Sequence, residues 1–341
     1  MKQIFITRHG EPEVLVVKEV PEIRPGEGQV RIQVKASGVN FADILARKGL
    51  YPDAPKVPCV VGYEVAGVVD AVGAGVSDKW LGNSVLALTR FKGYSEQVVV
   101  DLPLVIEMPG KLDFPQAAAL PVNYLTAYQL IVVMGGLRAD ETVLIHNAGG
   151  GVGLAALQLA RKIGARTIGT ASARKHDFLR EKGLDVAIDY RNTDWVEQVM
   201  AATDGKGVEL VIDPIGGKHF HQSYQVLRAT GRLGMFGISA ATQGRASRQW
   251  NLMKTALRMP FFHPIGLMNK NRGVFGVNLG HLWKEGEKIR KWFQAILTGV
   301  EEGWILPHVD RTFPFSRAAE AHRYIETRQN MGKIILVPDA P

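Results

Sequence analysis

The spacing of apolar residues divides the chain into a strand-rich first third and an alternating remainder. Up to about residue 118, apolar and polar positions alternate in short runs separated by Pro and Gly, which predicts strands over 13–20, 29–35 and 65–72. Only residues 41–48 suggest a helix there. From about residue 120, short apolar runs alternate with segments of helical period, a pattern typical of parallel sheets wound with helices. The chain is therefore predicted to be α/β, with a β-rich domain before a doubly wound one.

One stretch of the second part carries the strongest chemical signal. A buried strand is predicted over 143–145, followed by four glycines within 149–153 and by a helix that ends at Gly164. Glycines allow a tight turn and a close backbone approach to a pyrophosphate, and the helix N-terminus offers N–H groups to that anion. Dinucleotide binding is predicted, with a turn used only for packing as the alternative. Two registers of the fingerprint fit, Ala148-x-Gly150-x-x-Gly153 and Gly151-x-Gly153-x-x-Ala156.

Length and composition limit the class of protein. A chain of 341 residues with 46% hydrophobic residues is long enough for two domains with full cores. A single cysteine, Cys59, excludes an intramolecular disulfide and a cysteine-rich zinc lobe. Because no signal pattern opens the sequence and Glu64 and Asp70 interrupt its longest apolar region, we expect a soluble cytoplasmic protein. The net charge of +8 favours anionic ligands, but no basic-aromatic motif indicates nucleic acid.

Five segments occur in a fixed order: Ser37-Gly-Val-Asn-Phe-Ala-Asp43, Gly49-Leu-Tyr-Pro52, Val61-Gly-Tyr-Glu-Val-Ala-Gly67, Ala148 to Gly153, and Gly332-Lys-Ile-Ile-Leu336. Together they resemble the medium-chain dehydrogenase/reductase superfamily in its zinc-free quinone oxidoreductase branch, and residues 170–176, residues 187–190 and the region after Trp250 look most like its VAT-1-like members. The resemblance covers nearly the whole chain. It implies a GroES-like substrate domain over 1–119, a Rossmann NADP-binding domain over 120–280, a cofactor cleft between them, and a segment over 281–341 that returns to the first domain. It also implies a homodimer.

The resemblance bears on metal chemistry. Zinc-dependent relatives use a cysteine where this chain has Asn40 and a histidine where it has Tyr63, and the four-cysteine structural lobe is absent. Among nine histidines, only His219 and His221 show a paired spacing, and we expect these to be ordinary surface or packing residues. The sequence therefore predicts no metal site, active protein without stoichiometric zinc, and no inhibition by chelators.

Without a metal, hydride transfer suits an acceptor that conjugation already activates, so a quinone or an α,β-unsaturated carbonyl is the expected substrate. The resemblance places Asn40 at the nicotinamide ribose and Asp43 and Tyr51 in the cleft, as candidate catalytic residues. Tyr51 could supply the proton, or it could form a wall while solvent supplies the proton. Asp43 could take part in catalysis or cap a loop.

The cofactor is predicted to be NADPH. In NAD-preferring folds an acidic residue ends the second strand, but Thr170-Ala171-Ser172 stands at that place here, followed by Arg174 and Lys175. Ser172 and Lys175 are expected to bind a 2′-phosphate, with a solvated helix start as the alternative for the two basic residues. By resemblance, the other cofactor-binding residues are Asn40, Thr126, Ala148, Gly150, Gly151, Val152, Gly153, Tyr190, Phe236, Gly237, Phe275, Val277, Asn330 and Lys333.

A long acid-free stretch lies in the second half of the chain. No acidic residue occurs between Asp213 and Glu285. Ten basic residues lie there: Lys218, Arg228, Arg232, Arg245, Arg248, Lys254, Arg258, Lys270, Arg272 and Lys284.

Within this stretch, Trp250, Met253 and Leu257 form an apolar stripe on a predicted helix, and Phe261 and Phe262 follow it. The stripe could pack on the Rossmann domain or on a second copy, form a lid over lipophilic substrates, or contact an anionic membrane surface. Our hypothesis from sequence is that the segment borders the substrate entrance and favours large apolar electrophiles.

Three functions fit these observations. The preferred one is an NADPH-dependent quinone or enone reductase. The alternatives are reduction of enoyl thioesters and an NADPH-binding, membrane- or lipid-associated role with little turnover, since the resemblance to VAT-1-like proteins links the chain to vesicle membranes and lipid handling.

Overall fold

The computed structural model describes residues 1–191, 194–242 and 248–340. The chain divides into two compact units, one of residues 1–125 with 280–341 and one of residues 126–279. The first boundary lies after Leu125 and not after residue 119, because a helix that begins in the first unit crosses it. The second boundary lies one residue before the expected one. No described helix has the length and apolar content that crossing a membrane requires.

Fifteen strands lie within the described residues. In chain order they are β1 Lys2–Ile6, β2 Leu15–Glu19, β3 Gln29–Val39, β4 Glu64–Val72, β5 Ser84–Leu88, β6 Gln97–Asp101, β7 Val105–Glu107, β8 Thr142–His146, β9 Arg166–Ala171, β10 Val186–Asp189, β11 Val208–Asp213, β12 Leu227–Met235, β13 Gly273–Gly276, β14 Val309–Pro314 and β15 Lys333–Val337.

Eleven α-helices accompany these strands in the same part of the chain. They are α1 Phe41–Arg47, α2 Phe114–Ala118, α3 Pro121–Tyr128, α4 Gly151–Ile163, α5 His176–Glu181, α6 Trp195–Ala202, α7 Lys218–Gln225, α8 Arg248–Leu257, α9 Pro264–Lys270, α10 Gly286–Glu301 and α11 Ala318–Glu326.

The first unit is built on a mainly antiparallel sheet. Its order is β14-β15-β3-β4-β5-β7, and β6 pairs with β3 in addition. Val30, Ile32 and Val34 of β3 alternate with polar residues and are fully buried against β4, as a half-buried strand requires. The last strand, β15, pairs antiparallel with β3, so the chain end does return to the first unit.

The second unit is a six-stranded parallel sheet with the order β10-β9-β8-β11-β12-β13. Numbered from β8, this is the 3-2-1-4-5-6 order of dinucleotide-binding folds. The strand order reverses between β8 and β11, and ligands of such sheets bind outside the carboxyl ends of the strands at this point. The sheet confirms the predicted doubly wound α/β class.

The turn after β8 has the predicted form. Gly150 precedes the first turn of α4, and Gly164 ends the helix at φ 90° in the left-handed region that glycine adopts without strain. A Cβ at Gly153 would lie 2.5 Å from the Asn147 carbonyl oxygen, so the helix can begin this close to the strand only with glycine there.

Two elements differ from the expectation from sequence. The first segment of helical period after about residue 120 is not one continuous α-helix but consists of α3 and a π-helical turn, Gln129–Val133. Strand β3 continues four residues past the predicted end to Val39. It passes Gly38, where a Cβ would overlap the Glu64 carboxylate and the Lys333 side chain, so glycine lets these two charged groups approach the strand.

Candidate functional site

The glycine turn of the second unit presents an anion-binding helix end. Because Gly150 has no side chain, the first N–H groups of α4 carry no side-chain cap. A Cβ at Gly149 would lie 3.0 Å from Cδ of Lys175, so this lysine passes directly over the turn. The turn over 148–153 therefore combines N–H donors, the positive end of a helix dipole and a nearby ammonium.

The end of the second strand of this sheet carries no carboxylate. Ser172 follows β9 directly, and the Ser172 and Lys175 residues are only 6% and 5% exposed. Arg174 is exposed, so only one of the two basic residues belongs to the turn. Tyr190 follows β10 and is half-buried, with the Arg191 guanidinium 5.9 Å from its ring centre. This set offers a hydroxyl and an ammonium, which suit a phosphate better than a ribose hydroxyl.

The remaining predicted cofactor residues of the second unit lie at the ends of β12 and β13 and on α3. Thr126 of α3 is 8% exposed. A Cβ at Gly237 would lie 2.7 Å from the Pro214 carbonyl oxygen, so this position requires glycine, and no side chain covers its backbone from the same residue. The Val277 N–H donates to the Met235 carbonyl at 2.9 Å.

Phe236 is held through its backbone N–H, whereas Phe275 is held through its ring. The Phe236 N–H donates to the Asp213 carbonyl at 3.1 Å, which fixes the backbone after β12. The Phe275 ring packs against Gly234, since a Cβ there would lie 2.7 Å from it.

In the first unit, the predicted residues Asn40 and Lys333 form a buried charged cluster with Glu64. The Lys333 ammonium donates to Asn40 Oδ1 at 2.7 Å and to Glu64 Oε1, and Asn40 Nδ2 donates to Glu64 Oε1 at 3.0 Å. Glu64 is fully buried and Lys333 is 3% exposed. The Val122 N–H donates to the other oxygen of Glu64 at 2.7 Å. Lys333 thus neutralises Glu64 and fixes the side-chain amide of Asn40.

This cluster does not fit the catalytic zinc of zinc-dependent relatives. The Lys333 ammonium already donates to Asn40 Oδ1 and forms an ion pair with Glu64. This ammonium would therefore repel a metal cation beside it. The Tyr63 hydroxyl is buried, and burial above all, with Asp43 and Tyr51 nearby, raises its pKa far above the ordinary value, which keeps it a neutral phenol. Among the described residues of this unit, no three metal-ligating side chains converge.

Asp43 lies in the first turn of α1 and has no exposed surface. Its Oδ2 accepts from the Asn40 N–H at 2.8 Å and from the Tyr94 hydroxyl at 3.0 Å, and its Oδ1 accepts from the Gly62 N–H at 3.0 Å. Burial raises its pKa to about 7, against the lowering effect of these hydrogen bonds. Of the two roles that the sequence leaves open, the structure favours capping and positioning, because the carboxylate caps α1 and reaches no surface.

Tyr51 belongs to an aromatic wall. Its ring is half-buried and meets Tyr63 edge-on at 6.1 Å between centres, and Tyr63 meets Phe91 at 5.4 Å. Asn330 donates from its side-chain amide to the Gly332 carbonyl at 2.9 Å, so it shapes the approach to β15.

The apolar stripe of α8 faces solvent within the second unit. Trp250, Met253 and Leu257 are 55%, 44% and 78% exposed, whereas Phe262 is half-buried and packs on Tyr224 at 5.2 Å between ring centres. The helix itself is confirmed as α8. Arg245 and the side chain of Arg248, which belong to the same basic stretch, lie outside the described residues.

One group of residues at the sheet edge is not predicted from sequence. His146 ends β8, Asp213 ends β11, and His219 Nδ1 lies 2.6 Å from Asp213 Oδ2. His221, which shares the paired spacing with His219, is exposed as expected and bonds to Gln225. The available signal was the position of His146 and Asp213 at the ends of two strands, which a 3-2-1-4 order makes neighbours.

Two family profiles match the chain. Residues 26–109 match a profile described as "Alcohol dehydrogenase GroES-like domain", and residues 182–336 match one described as "Zinc-binding dehydrogenase". The synaptic vesicle membrane protein VAT-1 homolog of Rattus norvegicus is 40% identical over 341 residues, which cover 99% of this chain and 84% of that relative.

Solved structures give the same likeness over the full length. The Escherichia coli quinone oxidoreductase complexed with NADPH superposes with a TM-score of 0.87 at 30% identity, covering 99% of this chain and 100% of that chain. The CurK enoyl reductase superposes with a TM-score of 0.85 at 27% identity, covering 99% of each chain.

Proposed function

Because this chain belongs to the medium-chain dehydrogenase/reductase family, among VAT-1 homologues and quinone oxidoreductases, we propose that it is an NADPH-dependent reductase of quinones or α,β-unsaturated carbonyls. Its family membership identifies the general class of the protein as oxidoreductase. The substrate class and the metal-free route are our proposal, and they rest on the residues of each unit taken separately.

The second unit supplies the cofactor-binding residues in this proposal. The N–H groups at the start of α4 receive the pyrophosphate, while Ser172 and the buried Lys175 bind the 2′-phosphate. Thr126, the backbone after β12 and Val277 are assigned to the nicotinamide half. When bound, NADPH supplies the hydride, and the protein orients it and excludes water.

The observation that carries the choice of substrate is the buried Lys333–Glu64 pair with Asn40. In this proposal the Lys333 ammonium takes the side-chain oxygens of Asn40 and Glu64, so the cluster offers a metal cation no ligands and supplies no Lewis acid to polarise an isolated carbonyl. An acceptor already activated by conjugation needs no such help. Lys333 holds the side-chain oxygen of Asn40, and Glu64 holds its side-chain nitrogen. Asn40 is therefore oriented before a ligand binds and loses no further rotamer freedom on binding.

Turnover against a panel of acceptors tests the proposal. Purified protein should oxidise NADPH with a benzoquinone and with a 2-alkenal or enone, and should leave a saturated ketone unreduced. Reduction of the saturated ketone, or no acceleration with any conjugated acceptor, would contradict it. In the same assay, a fall in kcat of about 100-fold or more for Tyr51→Phe assigns the proton to Tyr51, whereas an unchanged kcat assigns it to solvent.

Two other functions have a specific observation in their favour. The likeness to the CurK enoyl reductase favours enoyl thioesters, which are also conjugated acceptors. The likeness to VAT-1 homologues and the exposed apolar residues of α8 and α9 favour a membrane-associated protein with little turnover. An enoyl thioester in the panel separates the first, and NADPH binding without turnover on any acceptor would identify the second.

A further inference from the structure

Three side chains of types that ligate metals in proteins meet at the carboxyl edge of the parallel sheet. His146 ends β8, Asp213 ends the neighbouring β11, and His219 lies in the first turn of α7. One ligand atom of each lies within 4.8 Å of the other two. Within residues 1–191, 194–242 and 248–340, no other three His, Cys, Asp or Glu residues converge in this way.

The side-chain atoms of Asp213, His219 and Ser223 already lie near coordination spacing. Asp213 Oδ2 lies 2.6 Å from His219 Nδ1 and 2.7 Å from Ser223 Oγ. Ser223 Oγ lies 3.2 Å from His146 Nε2 and 3.5 Å from His219 Nδ1. Ligands at about 2.0–2.1 Å from a tetrahedral zinc ion are separated from one another by roughly 3.3 Å. For Asp213 and His219, a shift of less than about 1 Å therefore converts the hydrogen-bonding distance into a ligand–ligand distance, and the ligand atom of His146 lies within 4.8 Å of both.

Outer contacts aim two of the ligand atoms inward. His146 Nδ1 is paired with Thr170 Oγ1 at 2.9 Å, which turns Nε2 toward the group. The Ile215 N–H donates to Asp213 Oδ1 at 2.7 Å, which leaves Oδ2 for the group. Metal-ligating histidines and carboxylates are held in this way by their second hydrogen-bonding atoms.

The surroundings keep the group dry and accessible from one side. His146, Asp213 and Ser223 are fully buried, and the His219 side chain is 15% exposed. The Trp195 ring stacks on His219 at 4.9 Å and meets His146 edge-on at 4.7 Å between centres.

We propose that His146, Asp213 and His219 form a binding site for a divalent transition-metal ion of the zinc class, with Ser223 or water as fourth ligand. Coordination requires a lone pair on His146 Nε2 and on His219 Nδ1, and a neutral imidazole provides it by carrying its proton on the other nitrogen. The ion would tie β8, β11 and α7 together where the chain enters the glycine turn. It belongs to the second unit, whereas the Asn40–Glu64–Lys333 cluster belongs to the first, and we assign it a structural role and not one in hydride transfer.

The proposal departs from the expectation of no metal site, because the fold, and not a local spacing, brings these residues together. Its test does not depend on activity. The chelated full-length protein is titrated with Co²⁺, whose visible absorption reports its coordination, and the bound Co²⁺ is then displaced with Zn²⁺.

The expected result is one ion per chain with a tetrahedral Co²⁺ spectrum. His219→Ala should weaken binding by about 100-fold or more. The matched control is His221→Ala, two residues along the same helix, which should bind as the wild type does. Equal losses in the two variants, or a wild type that binds neither ion at micromolar concentration, would overturn the proposal.

A second readout keeps the test valid if His219→Ala does not fold. Co²⁺ bound in contact with His219 should quench the emission of Trp195, which stacks on that ring. The quenching should be present in the wild type and absent in Trp195→Phe. Quenching of the same size in Trp195→Phe would place the ion elsewhere and reject the site.

Discussion

Lys333 and Glu64 are buried charged residues, and each would lack solvation of its charge by water if the other were absent. Removing one partner of such a pair leaves the other uncompensated. We therefore expect Lys333→Met to lower the free energy of unfolding by about 3–5 kcal/mol. Urea unfolding followed by circular dichroism measures this change.

The matched control removes the stranded charge as well. Lys333→Met with Glu64→Leu should recover most of the lost stability, because the buried carboxylate is then absent. A single variant that unfolds at the wild-type urea concentration would show that Lys333 is not buried against Glu64 in solution.

Lys175 lies over the glycine turn while its neighbour Arg174 is exposed, so the two basic residues should differ in effect. Loss of a charge-assisted hydrogen bond to a 2′-phosphate costs about 1.5–3 kcal/mol, so Lys175→Ala should raise KM for NADPH by roughly 10- to 100-fold. KM for NADH should stay nearly unchanged.

Arg174→Ala is the control for this cofactor assignment. It removes the same charge from the adjacent residue and should change KM for NADPH by only a few-fold. Steady-state kinetics with both cofactors makes the comparison. Equal losses with NADPH and NADH in Lys175→Ala would reject the assignment.

His322 gives the stability a predictable pH dependence. It is fully buried beside Tyr94, and burial, with Arg47 as the second cause, holds its pKa well below the ordinary value of 6.5. The unfolded chain therefore takes up a proton below pH 6.5 that the folded protein does not, and stability is lost as pH falls. This loss is about 1.4 kcal/mol per pH unit from one group.

The difference between wild type and His322→Gln isolates this contribution. Asp43 acts in the opposite direction, because its raised pKa removes stability as pH rises toward about 7, but it is present in both proteins. Urea unfolding at pH 4.5 to 7.5 should show the variant gaining relative to wild type as pH falls. A difference independent of pH would contradict a neutral buried imidazole.

At the scale of elements, local sequence was enough for strand β8, the glycine turn and α4, because a buried run, four glycines and a helical period are neighbours in the chain. The return of β15 to the first unit followed from the resemblance. The Lys333–Glu64 pair could not be predicted, since 269 residues separate its members and only the pairing of β15 with β3 and of β3 with β4 brings them together. The His146–Asp213–His219 group has the same origin.

The helix α8 shows what periodicity alone leaves undecided. Its stripe was visible in the sequence, but a stripe of Trp250, Met253 and Leu257 is equally consistent with packing and with exposure. The structure separates the segment into an exposed stripe and a packed Phe262. The two phenylalanines after the helix are therefore not equivalent, since Phe261 is 87% exposed.

We expect this difference to appear in kinetics. Trp250→Ala should reduce kcat/KM for a bulky quinone by several-fold more than for a small enone, and should leave the melting temperature unchanged because the side chain is 55% exposed. Phe262→Ala should instead lower the melting temperature, because it leaves a cavity against Tyr224.

Two outcomes would remove α8 from substrate selection. One is an equal loss for both acceptors in Trp250→Ala, and the other is no loss for either. Binding of the wild type to anionic vesicles at low salt, lost in Trp250→Ala, would assign the stripe to a membrane surface instead.

At the scale of the whole molecule, the two units divide the chemistry. The second unit has the strand order, the uncapped helix end and the carboxylate-free strand end that suit NADPH. The first unit holds a fixed ammonium, an oriented amide and an aromatic wall in place of metal ligands. The central claim is therefore hydride transfer from NADPH to a conjugated acceptor without a catalytic metal.

The most direct test is a single-turnover reaction of chelator-treated protein with NADPH carrying deuterium at the transferred position of its nicotinamide. With an enone as acceptor, mass spectrometry and NMR of the product should find one deuterium at the β-carbon, at a rate equal to that of untreated protein. A product without deuterium, or a reaction that stops on chelation and returns with zinc in His219→Ala as it does in wild type, would contradict the account.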